Sequence, residues 1–138
     1  MRFRITEIEK TTVDVPYVDV ADKHLLREIP GWTYSEVLRV RTNVGLTGIG
    51  ETIIWYTWSR VPDQALSDAI GKNPFDLLYR DDLGAGLQMA VWDVAAQYAG
   101  VPVYALAGDK VRDQVPIGWW CIDMSAEDWA QQARQAVA

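Results

Sequence analysis

Few side chains in this sequence are of types that could do chemistry, and they are scattered. His24 is the single histidine of the 138 residues and the group whose ordinary titration falls nearest neutrality. A general base must reach the proton it removes, so His24 alone defines a candidate and no reaction. A solvated or interface histidine is the plainer reading. Arg27 carries a planar fork that matches a carboxylate, with a surface ion pair to Glu28 or another acid as the plainer alternative. Glu51 closes a glycine-rich stretch, and Asp93 follows Trp92 inside an apolar one. Carboxylates in such places are normally paired, so both read as structural. Glu51 would fix the hairpin it ends, or a contact with a neighbouring domain, by hydrogen bonds, and Asp93 would bind backbone or an arginine such as Arg112. Cys121 is the one cysteine, which rules out an intrachain disulfide, fits a reducing cytoplasm and reads as a buried thiol.

The aromatic content is more telling. Seven tryptophans occur in the chain, several of them in irregular segments, where large rings line ligand sites or interfaces. Hydrophobic residues at 49% and charged residues at 23% give an ordinary globular composition with enough apolar material for a core. A net charge of -6 and a pI near 4.6 leave no basic footprint for nucleic acid or an anionic membrane. Apolar runs such as 53–56 and 118–121 are far short of a membrane span, and the start reads as free of a signal region.

The elements that must position these residues follow from pattern and punctuation. Residues 3–15 alternate Phe3, Ile5, Ile8, Val13 and Val15 with polar residues, which predicts a long strand bulged near Glu7 and ended by Pro16. Residues 16–34 carry two prolines, a glycine and no sustained period, so we read a long loop; its apolar content (Val18, Val20, Leu25, Leu26, Ile29, Trp32) argues that something covers it. Residues 36–42 and 46–52 form two more strands around Asn43-Val44-Gly45, where Gly45 can take the positive φ of a three-residue hairpin. Gly48 and Gly50 give the return strand little packing of its own and point to close approach by another backbone. A second aromatic loop, 53–59, leaves the resulting meander.

Helices follow. Pro62 and Asp63 suit a first turn, Ala65, Leu66, Ala69 and Ile70 a buried stripe, and Gly71 the cap. Residues 74–80 form a short second helix. The strongest runs over 83–99, with Leu87, Val91, Val94 and Tyr98 on one face and Gly100 with Pro102 as its stop. Residues 115–122 read as a buried strand. Ser125 then caps a helix with Glu127 and Asp128 in its first turn, continuing through Trp129, Ala133 and Val137 with no terminator before Ala138. A strand and an unterminated helix suggest the first unit of a repeated β/α architecture.

Two segments carry a resemblance. Gly45-Leu46-Thr47-Gly48-Ile49-Gly50-Glu51 resembles the N-terminal hairpin of enolase-superfamily enzymes of the mandelate racemase and muconate lactonizing type. Ala90-Val91-Trp92-Asp93 is similar to the Ala-Leu-Trp-Asp of that family's capping helix, followed at the right distance by Gly100-Val101-Pro102 and by Lys110-Val111-Arg112-Asp113 at the entry to its barrel. The sequence departs from the pattern in a shorter 59–83 stretch and in Gly108-Asp109, where two glycines often stand.

The fold this resemblance implies is α+β: a three-stranded antiparallel meander and a helical bundle as capping domain over residues 1–112. The first strand and helix of a (β/α)8 barrel would occupy 113–138. A barrel needs about 200 residues or more, so the rest is expected beyond Ala138 as the partner of this part. The implied activity is abstraction of a proton α to a carboxylate, with Mg²⁺ stabilising the enediolate, in a racemase, epimerase, cycloisomerase or acid-sugar dehydratase. The family's base and metal ligands sit on later barrel strands, so this chain is expected to hold no catalytic residue and no metal ligand.

The same resemblance assigns substrate choice to the two loops closing the barrel mouth. Tyr17, His24, Arg27 and Trp32 are candidates in the first, and Ile53, Trp55 and Tyr56 in the second. Adjacent Trp119 and Trp120 would face opposite sides of the first barrel strand. The mixture of aromatic rings with His24, Arg27, Tyr17 and Tyr56 in the two loops leans slightly toward dehydration of an acid sugar. A small carboxylate substrate, no nucleic acid, no membrane, a cytoplasmic location and a homo-oligomer complete the expectation. The alternative is a free-standing, non-catalytic binding domain.

Overall fold

The computed structural model describes residues 2–17, 19–55 and 59–137, with the side chains of 19, 20 and 28 left aside. Three strands, β1 (Ile5–Asp14), β2 (Tyr34–Thr42) and β3 (Thr47–Ile53), form an antiparallel meander in the order β1-β2-β3. The pairing of β1 with β2 slips between Ile5 and Glu7, the bulge expected there. Gly45 turns the β2–β3 hairpin at a φ of +83°, with its N–H donating to the Thr42 carbonyl.

The meander's inner face places Leu38 opposite Gly50 and Val40 opposite Gly48. This pairing decides how the next layer packs. Helix α3 (Ala85–Ala99) lies directly over the two glycines, buried through Leu87, Ala90, Val91, Val94 and Ala95. A Cβ on Gly48 would fall 2.1 Å from the Ala90 carbonyl oxygen, and one on Gly50 equally close to that of Gly86. The helix therefore rests on strand backbone, the approach that glycines in a strand permit.

Helix side chains also close the free edge of β3. Asp93 Oδ2 accepts the Ile49 N–H at 2.8 Å, and the Gln97 amide donates to the Thr47 carbonyl at the same distance. Edge groups left bare invite pairing with other chains, so α3 supplies both core and edge protection. Asp93 thus binds backbone, one of the two partners foreseen for it.

Smaller elements complete this body. Helix α2 (Asp63–Ala69) buries Ala65 and Ala69, and short 3-10 turns at Pro74–Leu77 and Asp81–Leu83 bury Leu77 and Leu83. Phe3 stacks on Tyr98 with ring centroids 3.9 Å apart. No helix among the described residues is long and apolar enough to cross a membrane.

Three expectations need correction. The 16–34 stretch is not a continuous loop: helix α1 (Asp19–Glu28) occupies its middle. Only His24 and Leu25 of its described side chains are buried, too few to print a helical period on the sequence. Ile70 stands outside the α2 stripe, half exposed, because the helix ends before it and its backbone is already extended. Residues 115–122 run irregularly with Val115, Ile117, Trp119 and Trp120 exposed. A strand exists through its ladder, and no described element pairs with this one. Helix α4 (Ala126–Ala136) then begins as expected, with Ser125 Oγ accepting the Asp128 N–H.

Candidate functional site: a groove between two loops

The candidate site grows from the way the chain leaves and re-enters the sheet at one end. After β1, the Val15 N–H donates to the Thr33 carbonyl at 2.8 Å, so the segments on either side of α1 continue the pairing of β1 and β2. The Tyr17 hydroxyl donates to the Trp32 carbonyl at 3.3 Å, which ties the entry of the first segment to its exit. After β3, the Ile54 N–H returns to the Tyr34 carbonyl, and the Trp32 indole donates to the Trp55 carbonyl at 3.3 Å. The Trp55 ring lies against Gly31, where a Cβ would come within 2.8 Å of it. Two segments about twenty residues apart in sequence are thereby stitched into one surface.

Between them lies an open groove of about 270 Å³ whose walls include Tyr17, Trp32, Thr33, Ser35, Glu51 and Ile53. Glu51 is exposed, and among the described residues its carboxylate makes no hydrogen bond; it lines the groove and does not fix the hairpin, the first of the two roles foreseen for it. Burial, and secondarily the Glu51 carboxylate, push the Tyr17 phenol above its ordinary range, so it remains an uncharged donor and acceptor at neutral pH. A carboxylate beside a neutral phenol and two small hydroxyls suits hydroxyl groups on a ligand. The same carboxylate disfavours a second one in the groove.

The structure divides the sequence candidates. Tyr17, Trp32, Ile53 and Trp55 come together here. His24 and Arg27 do not: they lie on α1 and face the chain before and within α4. His24 Nε2 is 2.7 Å from Asp128 Oδ2, and the Arg27 guanidinium donates to the Asp123 carbonyl at 3.4 Å. Tyr56 lies outside the described residues.

Sequence reasoning missed Glu36. Its side chain is 0% exposed, with Oε1 accepting from Arg60 at 2.7 Å and Oε2 from the Val61 N–H at 3.0 Å. This pair pins the far end of the loop that follows β3, assisted by the Thr52 hydroxyl on the Ser59 carbonyl. The signal was present, since Glu36 has the same strand parity as Leu38 and Val40 and must point inward with them. Among the described residues no three His, Cys, Asp or Glu side chains gather as a metal site.

No family model matches the chain. A D-galactonate dehydratase of Variovorax paradoxus (strain S110) is 30% identical over 117 residues, covering 70% of this chain and 30% of its own length. A D-gluconate dehydratase of Thermoproteus tenax is 27% identical over 129 residues, covering 77% of this chain and 26% of its own length. The crystal structure of a mandelate racemase/muconate lactonizing enzyme from Roseovarius nubinhibens ISM superposes with a TM-score of 0.66 at 26% identity, covering 98% of this chain and 41% of that one. The chain thus spans less than a third of the length of these curated relatives.

Proposed function

Because this chain belongs to the enolase superfamily, of the mandelate racemase and muconate lactonizing type, we propose that it caps the active site of a magnesium-dependent enzyme that abstracts a proton α to a carboxylate. Its groove would face the end of the substrate remote from the reacting carbon. The observation that carries this reading is the meeting of two sequence-distant segments at Tyr17, Trp32 and Trp55, next to an exposed Glu51. Over a barrel mouth, such a rim of rings and hydroxyls would exclude water and read the distal part of a bound molecule. Residues 113–138 are in this reading the first β/α unit of the barrel, whose neighbours would cover Ile117, Trp119 and Trp120. The magnesium ion would be held outside the described residues.

Among the reactions open to such an enzyme, dehydration of an acid sugar is favoured. The groove offers partners to hydroxyls and disfavours a carboxylate, which supports a reading with a polyhydroxylated tail there and the carboxylate toward the barrel. The dehydratase relatives support the same choice. In that reaction the α-carbon loses its proton, the β-hydroxyl leaves as water, and the enol formed tautomerises to a 2-keto-3-deoxy acid.

The test incubates the complete polypeptide carrying this sequence with Mg²⁺ and a panel of aldonic and aldaric acids, scoring keto-acid formation. Proton NMR in D₂O scores α-proton exchange on the same panel and on aromatic and muconate-type carboxylates. Keto-acid formation abolished by chelation supports the proposal. Exchange without water loss replaces the dehydratase with a racemase, epimerase or cycloisomerase. Absence of both across the panels overturns it in favour of a non-catalytic binding domain.

A further inference from the structure

Helix α1 separates the two groove walls in the chain, with Tyr17 just before it and Trp32 just after it. A hold on α1 therefore bears on both walls, beside the Val15–Thr33, Tyr17–Trp32 and Trp32–Trp55 bonds that join them directly. Its apolar anchorage is slight, since Leu25 and His24 are its only buried described side chains. Polar contacts from α1 also reach the start of α4 and the chain just before it. Lys23 Nζ and His24 Nε2 lie 2.9 and 2.7 Å from the same Asp128 oxygen, and the Arg27 guanidinium lies 3.8 Å from the Asp123 carboxylate.

Asp128 is well placed for this work. Its side chain is only 13% exposed, and its backbone N–H is held by Ser125 Oγ at 3.2 Å, so the helix cap sets its position. An ionised carboxylate only accepts, so the proton of the shared bond belongs on His24 Nε2. His24 Nδ1 is buried and has no partner among the described residues. The ring is thus committed to one bond, and that bond crosses from residue 24 to residue 128.

We infer that Asp128 is a positioning residue for the groove: through His24 and Lys23 it holds α1, and with it Tyr17 and Trp32, against the first turn of α4. This rests on the proposed function only for its catalytic consequence, since the clasp itself is a matter of geometry. It would touch no substrate. Its loss should loosen the 19–33 segment while leaving the sheet and α3 as they are.

Hydrogen exchange read by mass spectrometry on the complete polypeptide tests this, with Asp128→Ala, His24→Phe and His24→Gln. Alanine favours helix, so Asp128→Ala leaves α4 able to form. Glutamine keeps an N–H donor near the Nε2 position while giving up the ring and its unpartnered Nδ1. Exchange in 19–33 should rise about tenfold in Asp128→Ala and His24→Phe, as expected for losing a charge-assisted hydrogen bond. It should stay near wild type in His24→Gln, and 34–42 and 85–99 should not change in any variant.

Unchanged exchange at 19–33 in Asp128→Ala overturns the inference. So does equal loosening of the sheet, or His24→Gln behaving like His24→Phe. With an acid-sugar substrate in hand, Asp128→Ala should raise KM several-fold with little change in kcat. The expected exchange pattern without turnover of any acid sugar upholds the clasp and sinks the substrate reading.

Discussion

Replacing Gly50 by alanine tests the packing on which the whole body depends. The added Cβ would sit 2.1 Å from the Gly86 carbonyl oxygen, 2.6 Å from the Ala90 nitrogen and 2.8 Å from the Met89 Cβ. None of these is the flexible end of a side chain, so relief requires α3 to withdraw by roughly 1 Å from a close-packed interior. That shift would disturb Leu87, Ala90, Val91 and Val94 together, all at 0% exposure, and lengthen the Asp93 bond to Ile49. Overpacking ordinarily costs about 1–3 kcal/mol. With backbone on both sides we expect about 3 kcal/mol or more, a large share of the ~5–15 kcal/mol that holds a domain folded. Urea unfolding followed by far-UV circular dichroism should show a lower midpoint, and Tm should fall by about 10 °C or more. Gly118→Ala is the control, since no atom lies within 4 Å of its added Cβ and its φ is unexceptional. A Gly50→Ala protein within about 1 kcal/mol of wild type would refute the account of α3 resting on strand backbone.

Four further outcomes follow from named contacts. Hydrogen bonds from His24, then Lys23 and Ser125, hold the Asp128 carboxyl down at about 2, so the clasp is fully present above the ordinary carboxyl range and is lost as pH falls from ~4 through ~2; exchange at 19–33, corrected for the intrinsic rate, should rise across that window. Glu36→Ala strands the buried Val61 N–H and frees the exposed Arg60, a loss of about 2–4 kcal/mol in the urea midpoint. Asp93→Ala removes the acceptor of the Ile49 N–H on an edge strand and should cost about 1–2 kcal/mol, read the same way. Tyr17→Phe, losing one long bond at a partly buried site, should leave Tm nearly unchanged while raising KM several-fold for a hydroxylated acid.

What was legible in the sequence was what neighbours along the chain decide. The hairpin could be placed because Gly45 supplies a conformation that other residues resist, and the β1 bulge because alternation breaks near Glu7. Gly48 and Gly50 announced the close approach of α3, though not which helix would make it. Helix α1 escaped for the opposite reason: it is held mainly by polar contacts, so apolar periodicity carries little trace of it. Residues 115–122 have the composition of a strand, but composition supplies no partner, and pairing is what makes a strand.

The same division runs through the candidate site. Tyr17, Trp32, Ile53 and Trp55 could be named because aromatic residues in irregular segments stand out, and their convergence follows from short local returns of the chain at one sheet end. His24 drew attention for its titration, yet its role depends on a carboxylate more than a hundred residues away, which no spacing rule reaches. Glu36 was readable in principle, because strand parity sends it inward, and a buried carboxylate then requires a donor from outside the strand. Arg60 and the Val61 N–H are those donors. The charged residues that matter most in this chain are thus the ones holding its loops in place. A search for catalytic types alone passes over them, although they hold the segments that border the groove.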